Sequence, residues 1–362
     1  ESELGVASLS DAFSSFGTEP VAAASLGQVY RAVAAGTGEA VAVKVQRPGA
    51  LESVRRDRAI LRAAATAVRR AAGMRRDFGA IADDVLRAVE DELDYGVEAS
   101  NCEAFGAAHG YLAPAVAAPR VHRGLSARRV LTTSWVLGES PRALLSAAER
   151  GDAAARAQCL ELVRVGLRCS LAQLVRTRLL HADPHPGNLL WAGGVLTYLD
   201  FGLLVPVDRG HARALGRCVA CLHASQWTGA ARALGGMGLL KPGTDVGAVA
   251  AGLEAQLAGR EGGLRFSSVT KALATLAVRF RFELPPYYVL VARALGSLEG
   301  VALAAEPSFR VVPALFPLLV PHLLTDPHPD AREALRAVLL DPEGGGVRWE
   351  AFSEAAGGGG GG

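Results

Sequence analysis

Apolar and polar positions change rhythm along this chain. PVAAASLGQVYRAVAA (20–35) reads as strand, turn and strand; GTGEA (36–40) turns into VAVKVQ (41–46), a β-rich run stopped by Arg47-Pro48-Gly49. From about 51 to 107 the apolar spacing becomes helical. One helix is predicted over the arginine-rich LESVRRDRAILRAAATAVRR and a second over FGAIADDVLRAVEDELDYGVEASNCEAF. Short strands return at RVHRG (120–124) and ARRVLTTSWV (127–136). Beyond Gly138 the pattern is predominantly helical, except in LLWAGGVLTYLDFG (189–202), where two short apolar runs flank Gly-Gly and predict a hairpin. The pattern gives an α+β chain without internal repeats. A β-rich part with helices covers 1–137, a mainly helical part 138–350, and a flexible glycine tail 351–362.

Composition sharpens this only in places. A chain of 362 residues is long for one compact domain and favours two, and 50% apolar residues supply a core. The net charge of +2 gives no concentrated basic face, so nucleic acid is excluded as a partner. Five scattered cysteines, an odd number, fit a reducing compartment better than a disulfide framework. Cys218-Val-Ala-Cys221 with His223 lacks a second ligand pair, so a buried helix face is favoured over zinc. No uninterrupted apolar run reaches bilayer length; VVPALFPLLVPHLL (311–324) is short and holds three prolines. The chain opens at Glu1 without a signal-like beginning, and nothing about targeting follows from that. The clusters Arg55-Arg56 with Arg58, Arg69-Arg70 and Arg75-Arg76 lie beside acids on predicted helices. A solvated helix face explains them, with an anionic lipid or partner surface as the alternative.

HADPHPGNLL (181–190) changes the picture more. His181, Asp183 and His185 are all plausible metal ligands, and the spacing also fits a phosphate-handling loop. Asp183 precedes Asn188 by five positions, with His181 two residues earlier, which is the H-x-D-x-x-x-x-N spacing of kinase catalytic loops. Twelve residues beyond Asn188 comes Asp200-Phe201-Gly202, a D-F-G after a short strand. Upstream, VAVK places Lys44 where kinase-like folds hold a lysine for the α- and β-phosphates of ATP. Its ammonium needs a carboxylate from a following helix; Glu92 and Glu98 both qualify, and spacing does not choose. A metal-hydrolase reading uses His181, Asp183 and His185 but leaves Lys44, Asn188 and Asp200 idle. The kinase-like reading uses the whole set in order.

A conventional glycine-rich loop is absent, and AAASLGQVY (22–30) stands in its place. With EPVAAASLGQVYRA, VAVKVQRPG, ELDYGVEASNCEAF, LLHADPHPGNLL, YLDFG and the later FELPPYYVLVARALGSLEGVALAAEPSFRVV, the chain resembles the UbiB/AarF family of atypical protein-kinase-like enzymes, in its plastid and cyanobacterial version. The resemblance runs from about residue 1 to 350. It implies a bilobal protein-kinase-like fold with a small β-rich N-lobe and a larger helical C-lobe, using ATP and Mg²⁺. Ala22, Ala23, Ala24 and Ser25 would form the alanine-rich loop. Lys44 would be the ATP lysine with Glu98 its partner, and Glu92 and Asp94 the family's E-x-D pair. Asp183 would be the catalytic aspartate, with Asn188 and Asp200 as Mg²⁺ ligands. His185, Pro184 and Pro186 also have a plain reading, as backbone contacts and stiffeners of the turn. The family's K-x-G-Q motif, on an N-terminal extension that meets the E-x-D pair, does not occur in this sequence. Ser134 stands where relatives carry a glutamate.

The implied function is ATP-dependent phosphoryl transfer or hydrolysis supporting prenyl-lipid or isoprenoid-quinone metabolism. The acceptor would be a protein or lipid-like molecule, at a peripheral membrane or lipid-droplet surface. The implied location is a chloroplast plastoglobule or thylakoid, with the mitochondrion as alternative. The rival from another class is a non-catalytic, ATP-binding pseudokinase scaffold.

Overall fold

The computed structural model describes residues 1–23, 27–49, 52, 56, 60, 93–259, 263–340 and 346. Most of the arginine-rich helix segment, Ala24, Ser25, Glu92 and the glycine tail lie outside them. The chain divides into two compact units: Glu1–Ala107 with Ala118–Leu137 and Leu199–Leu203, and Ala108–Ala117 with Gly138–Tyr198 and the chain from Leu204 onward. Together they give the expected α+β kinase-like fold, with the strands of the larger sheet in the first unit and most helices in the second.

The first unit is built on an antiparallel sheet. A short capped helix, α1 (Leu9–Ala12), precedes β1 (Phe13–Phe16), β2 (Ala22–Ala23), β3 (Gly27–Ala34) and β4 (Ala40–Gln46). Both β1 and β2 pair with β3, and β4 lies between β3 and β6 (Val130–Ser134). Alternation along β4 sends Val41 and Val43 into a core with Phe13, Ala32 and Val130. The same alternation leaves Ala42 and Lys44 on the opposite face, so the motif's spacing follows from the pleat.

Two expectations change here. RVHRG is not a strand: Val121 makes one isolated bridge to Thr133, and Arg123–Leu125 form a 3₁₀ turn. The turn is held because the Ser126 hydroxyl donates to the His122 carbonyl and accepts from Thr132 N–H, a local bond that competes with a ladder. The second long helix does not run unbroken through 78–105. Leu93 and Asp94 are non-helical, and helix α2 (Tyr95–His109) starts after them. Asp94 accepts from Gly96 N–H (2.9 Å), which favours a fresh helix start there. Ser134, at the end of β6, accepts from Arg120 N–H through its hydroxyl (3.0 Å).

In the second unit β5 (Val116–Ala117), β8 (Leu189–Ala192) and β9 (Val195–Tyr198) form one small sheet, and β7 (Leu179–His181) pairs with β10 (Leu204–Pro206). The predicted β8–β9 hairpin is present. Gly193 and Gly194 both have positive φ (54° and 82°), which a two-residue turn of this hand requires. Around them lie α3 (Pro141–Glu149), α4 (Ala153–Ala172), α5 (Arg209–His223), α6 (Trp227–Gly236), α7 (Val246–Leu257), α8 (Phe266–Phe280), α9 (Pro286–Ala305), α10 (Val311–Thr325) and α11 (Pro329–Leu339). One core cluster gathers Leu222, Leu234, Leu239, Leu253 and Leu276. All five cysteines are buried and free, Cys218 and Cys221 facing that core.

No uninterrupted apolar run is expected to reach bilayer length; α9, interrupted by two charged residues, is nevertheless a 20-residue helix apolar and long enough to cross a membrane by length and composition. The interrupting Arg293 and Glu299 hid it in the sequence. Its packing is that of a core helix. Glu299 is buried and accepts from the backbone N–H groups of Phe266 and Ser267, and Leu298 lies where a side chain at Gly166 of α4 would otherwise go. Helix α10 continues through Pro317 and Pro321. With Pro313 these recur every fourth residue along one stripe that is not buried, while Val312, Leu315, Phe316 and Leu319 fill the core side.

Candidate active site

In the first unit the fold brings together three of the residues singled out by the motifs. Lys44 Nζ lies 2.8 Å from both carboxylate oxygens of Glu98 and 3.4 Å from Asp200 Oδ2. The ring of Tyr95 sits 5.0 Å from the ammonium. Burial opposes the charge on Lys44, but the neighbouring carboxylates of Glu98 and Asp200 outweigh it and hold the ammonium well above the ordinary lysine range. Burial, helped by the negative charge of Asp200, raises the carboxyl of Glu98, and Lys44 opposes that rise. Asp200 remains partly open, with 41% of its side chain exposed.

One face of α2 carries this arrangement. Tyr95, Glu98, Asn101 and Phe105 recur three and four residues apart and share a side of the helix. Asn101 Nδ2 donates to the Phe201 carbonyl (2.9 Å), and Phe105 packs on the Phe201 ring, with centroids 5.2 Å apart. Phe201 is 1% exposed; that burial contributes roughly 2 kcal/mol and fixes the residue next to Asp200. Gly202 N–H donates to Asp200 Oδ1 (3.0 Å). The start of α2 is tied down by Gln46 Nε2 donating to the Leu93 carbonyl (3.0 Å) and Tyr95 N–H donating to the Arg128 carbonyl (2.9 Å). A side chain at Gly27 would collide with the Tyr95 hydroxyl, so the glycine of SLGQ admits the ring that faces Lys44.

Sequence reading missed Tyr95, Asn101 and Phe105, whose register with Glu98 is one that any helix face shares. Ala22 and Ala23, expected in a loop, are exposed residues of the short strand β2, paired with Val29 and Gln28. Asp94 caps the start of α2 and lies 3.6 Å from Arg128. Its expected companion Glu92 lies outside the described residues, as do Ala24 and Ser25.

The H-x-D loop is in the second unit, between β7 and β8. His181 is 1% exposed, its ring lies 5.1 Å from that of Tyr198, and its N–H donates to Gln173 Oε1 (2.8 Å). It anchors the loop from beneath. Asn188 closes the turn, its side-chain amide donating to the Asp183 carbonyl (3.2 Å) and its N–H to the His185 carbonyl (2.8 Å). With Nδ2 committed in this way, Oδ1 is the amide's remaining acceptor. His185 Nδ1 accepts from Gly187 N–H (2.8 Å), a backbone contact of the kind its plain reading described. Asp183 is ion-paired to Arg293 of α9 at 2.6 Å, a partner 110 positions away that the sequence pattern did not indicate.

Among the described residues no three His, Cys, Asp or Glu side chains converge to hold a metal, and His181 is turned against Tyr198. The hydrolase reading therefore lacks its ligand set. Burial pushes the Cys218 thiol up to about 12, as a buried helix face would. The carboxylate of Asp200 and the amide oxygen of Asn188 are hard oxygen donors, the chemistry suited to Mg²⁺.

Compared with known proteins, residues 1–234 match the ABC1 atypical kinase-like domain. The Synechocystis protein sll0005 is 36% identical over 96% of this chain and 51% of its own length. The Arabidopsis thaliana chloroplastic protein ACTIVITY OF BC1 COMPLEX KINASE 3 is likewise 36% identical, over 96% of this chain and 49% of its own. An Arabidopsis chloroplastic aarF domain-containing protein kinase is 35% identical over 94% of this chain and 48% of its own. The chain thus spans about half the length of these relatives. Among solved structures, the complex of Rv3197 with erythromycin from Mycobacterium tuberculosis superposes with a TM-score of 0.66 at 25% identity, covering 84% of this chain and 76% of that one. Together with the alanine-rich start, the lysine–glutamate pair and the H-x-D and D-F-G motifs, these matches make the chain a member of the ABC1 atypical kinase-like family.

Proposed function

We propose that this chain binds Mg-ATP and transfers or hydrolyses its γ-phosphoryl group. The observation that carries the reading is the Lys44–Glu98 pair with Asp200 Oδ2 3.4 Å from the same ammonium. A cation fixed in this way is suited to hold nucleotide phosphates. In this reading Lys44 binds phosphate oxygens, Glu98 keeps the ammonium charged and aimed, and Asp183 accepts the proton of, or orients, the attacking hydroxyl or water. Asn188 and Asp200 would hold Mg²⁺. Bound Mg²⁺ neutralises charge that builds on the phosphoryl oxygens. The chloroplastic relatives support a plastid setting, and with the family resemblance a role in prenyl-lipid or isoprenoid-quinone metabolism at a plastoglobule or thylakoid surface.

The Arg293–Asp183 pair favours a second reading, in which the aspartate is neutralised and the chain is an ATP-binding scaffold. ATP turnover by the purified chain, with and without prenyl lipids and generic protein acceptors, tests the choice. Asp183→Asn and Asp200→Asn should each lower turnover about a hundredfold or more. Lipid-stimulated hydrolysis without protein labelling would mark an ATPase, and transfer to protein a kinase. A wild-type chain that binds ATP without turnover, and whose partner binding survives Asp200→Asn, would establish the scaffold instead.

A further inference from the structure

Helix α2 reaches Asp200 by a second route besides Lys44. Asp200, Phe201 and Gly202 belong to the same compact unit as Lys44, Glu98 and Asn101. Of the two carboxylate oxygens of Asp200, Oδ2 faces the ammonium that Glu98 holds, and Oδ1 accepts from Gly202 N–H at 3.0 Å. The peptide joining Phe201 to Gly202 is planar, so its carbonyl and its N–H point in opposite directions and turn together. Asn101 Nδ2 donates to that carbonyl at 2.9 Å. Fixing the carbonyl fixes the N–H, and with it the donor that Asp200 Oδ1 meets.

This peptide has a reason to need fixing. Rotating it by half a turn exchanges N–H for carbonyl and sends the following residue to positive φ, as between type I and type II turns. A side chain at that following position resists the exchange, whereas glycine accepts either sign of φ at little cost. Gly202 does not have a positive φ here, so it sits in the state that gives Asp200 a donor. In the rotated state a carbonyl would face the carboxylate instead. The Phe201 N–H donates to Glu98 and its ring packs on Phe105, but neither contact falls on the peptide that leads to Gly202. Asn101 is the residue that holds it.

Helix formation gives no separate reason for an asparagine at this place. Asn101 lies in the interior of α2, where asparagine is a weak helix former because its side chain competes for backbone groups. Its amide is instead directed to the backbone of another segment, 100 positions along the chain.

We propose that Asn101 is a positioning residue for Asp200. Its amide locks the Phe201–Gly202 peptide against rotation, and the locked Gly202 N–H aims the carboxylate. Glu98 and Asn101, three positions apart on one face of α2, then govern one oxygen of Asp200 each. The effect on metal use rests on the proposed function; the lock itself does not.

Amide hydrogen exchange reads the lock directly. Labelling the full chain with ¹³C-phenylalanine and ¹⁵N-glycine selects four peptides, Phe16-Gly17, Phe78-Gly79, Phe105-Gly106 and Phe201-Gly202, so the Gly202 N–H is followed individually. Asn101→Leu removes the donor at similar size, and Asn101→Asp sets a carboxylate against the carbonyl. Each should quicken Gly202 exchange about fivefold or more relative to Gly17, whose N–H donates to the Arg31 carbonyl. Unchanged Gly202 exchange in both variants overturns the proposal. An equal rise at Gly17 in both overturns it too, since that marks general loosening rather than a freed peptide. In the same chains, the Mg²⁺ concentration that half-saturates the nucleotide-dependent rise in unfolding midpoint should increase about tenfold or more. ADP binding in EDTA should stay as in the wild type, because Lys44 and Glu98 are untouched. Faster Gly202 exchange with an unaltered Mg²⁺ requirement would uphold the lock and remove Asp200 from the metal site, overturning that part of the proposed function alone.

Discussion

At the scale of single residues, the Lys44 ammonium is held by charge and by packing, and each can be tested separately. Glu98→Ala leaves the ammonium largely buried beside Asp200 alone. The loss should be about 2 kcal/mol, below the roughly 3–5 of a fully buried pair, because Asp200 still faces it. Urea unfolding of the variant would measure this. Gly27→Ala drives a methyl group into the Tyr95 hydroxyl and should cost about 1–3 kcal/mol. Tyr95→Phe in the same chain should recover part of that cost, which a double-mutant cycle would report as coupling between the two positions. A glycine explained only by backbone freedom would show no such recovery.

At the scale of elements, the sequence told some parts and hid others for physical reasons. The hairpin around Gly193-Gly194 was legible because period-two alternation and positive-φ glycines are both local signals. H-x-D-x₄-N and D-F-G were legible because each lies within a few residues. Arg293 was not, since nothing along α9 marks which of its polar residues will meet a loop 110 positions earlier. RVHRG read as a strand from composition, but the Ser126 hydroxyl satisfies backbone groups that a ladder would otherwise use. Tyr95, Asn101 and Phe105 read as ordinary helix positions, because a face that supports a site has the same spacing as one that fills a core. Between elements, Arg213 of α5 fastens the end of α10 through Asp326, whose carboxyl lies below its ordinary value. Burial opposes this shift, and the hydrogen bonds from Arg213 and His328 N–H outweigh it. A depressed carboxyl stabilises the fold above its unfolded pKa and loses that contribution as pH falls through the folded one. Asp326→Asn should therefore cost about 1 kcal/mol at neutral pH, and the difference from wild type should fade as pH drops below 3.8. Thermal unfolding across that range would record it.

At the scale of the whole molecule, ligand linkage provides the broadest test. If the chain takes Mg-ATP, nucleotide at a hundred times its Kd should stabilise the native state by about 2.7 kcal/mol. The midpoint of thermal unfolding should rise accordingly, and Lys44→Met should abolish the rise. A midpoint indifferent to nucleotide in the wild-type chain would remove the basis of the phosphoryl-transfer reading. The fold class itself was readable, since a β-rich beginning and a helical remainder follow from the change of apolar period.

The ion pair between Asp183 and Arg293 has a practical consequence for dissection of the protein. Its acidic member lies within the stretch matched to the family domain, residues 1–234, and its basic member well beyond it. A fragment trimmed to the matched stretch would lose that counter-charge, and with it the whole of α9. Excising the recognisable part would alter the aspartate it was meant to isolate, so the shortest faithful piece must extend at least through Ala305.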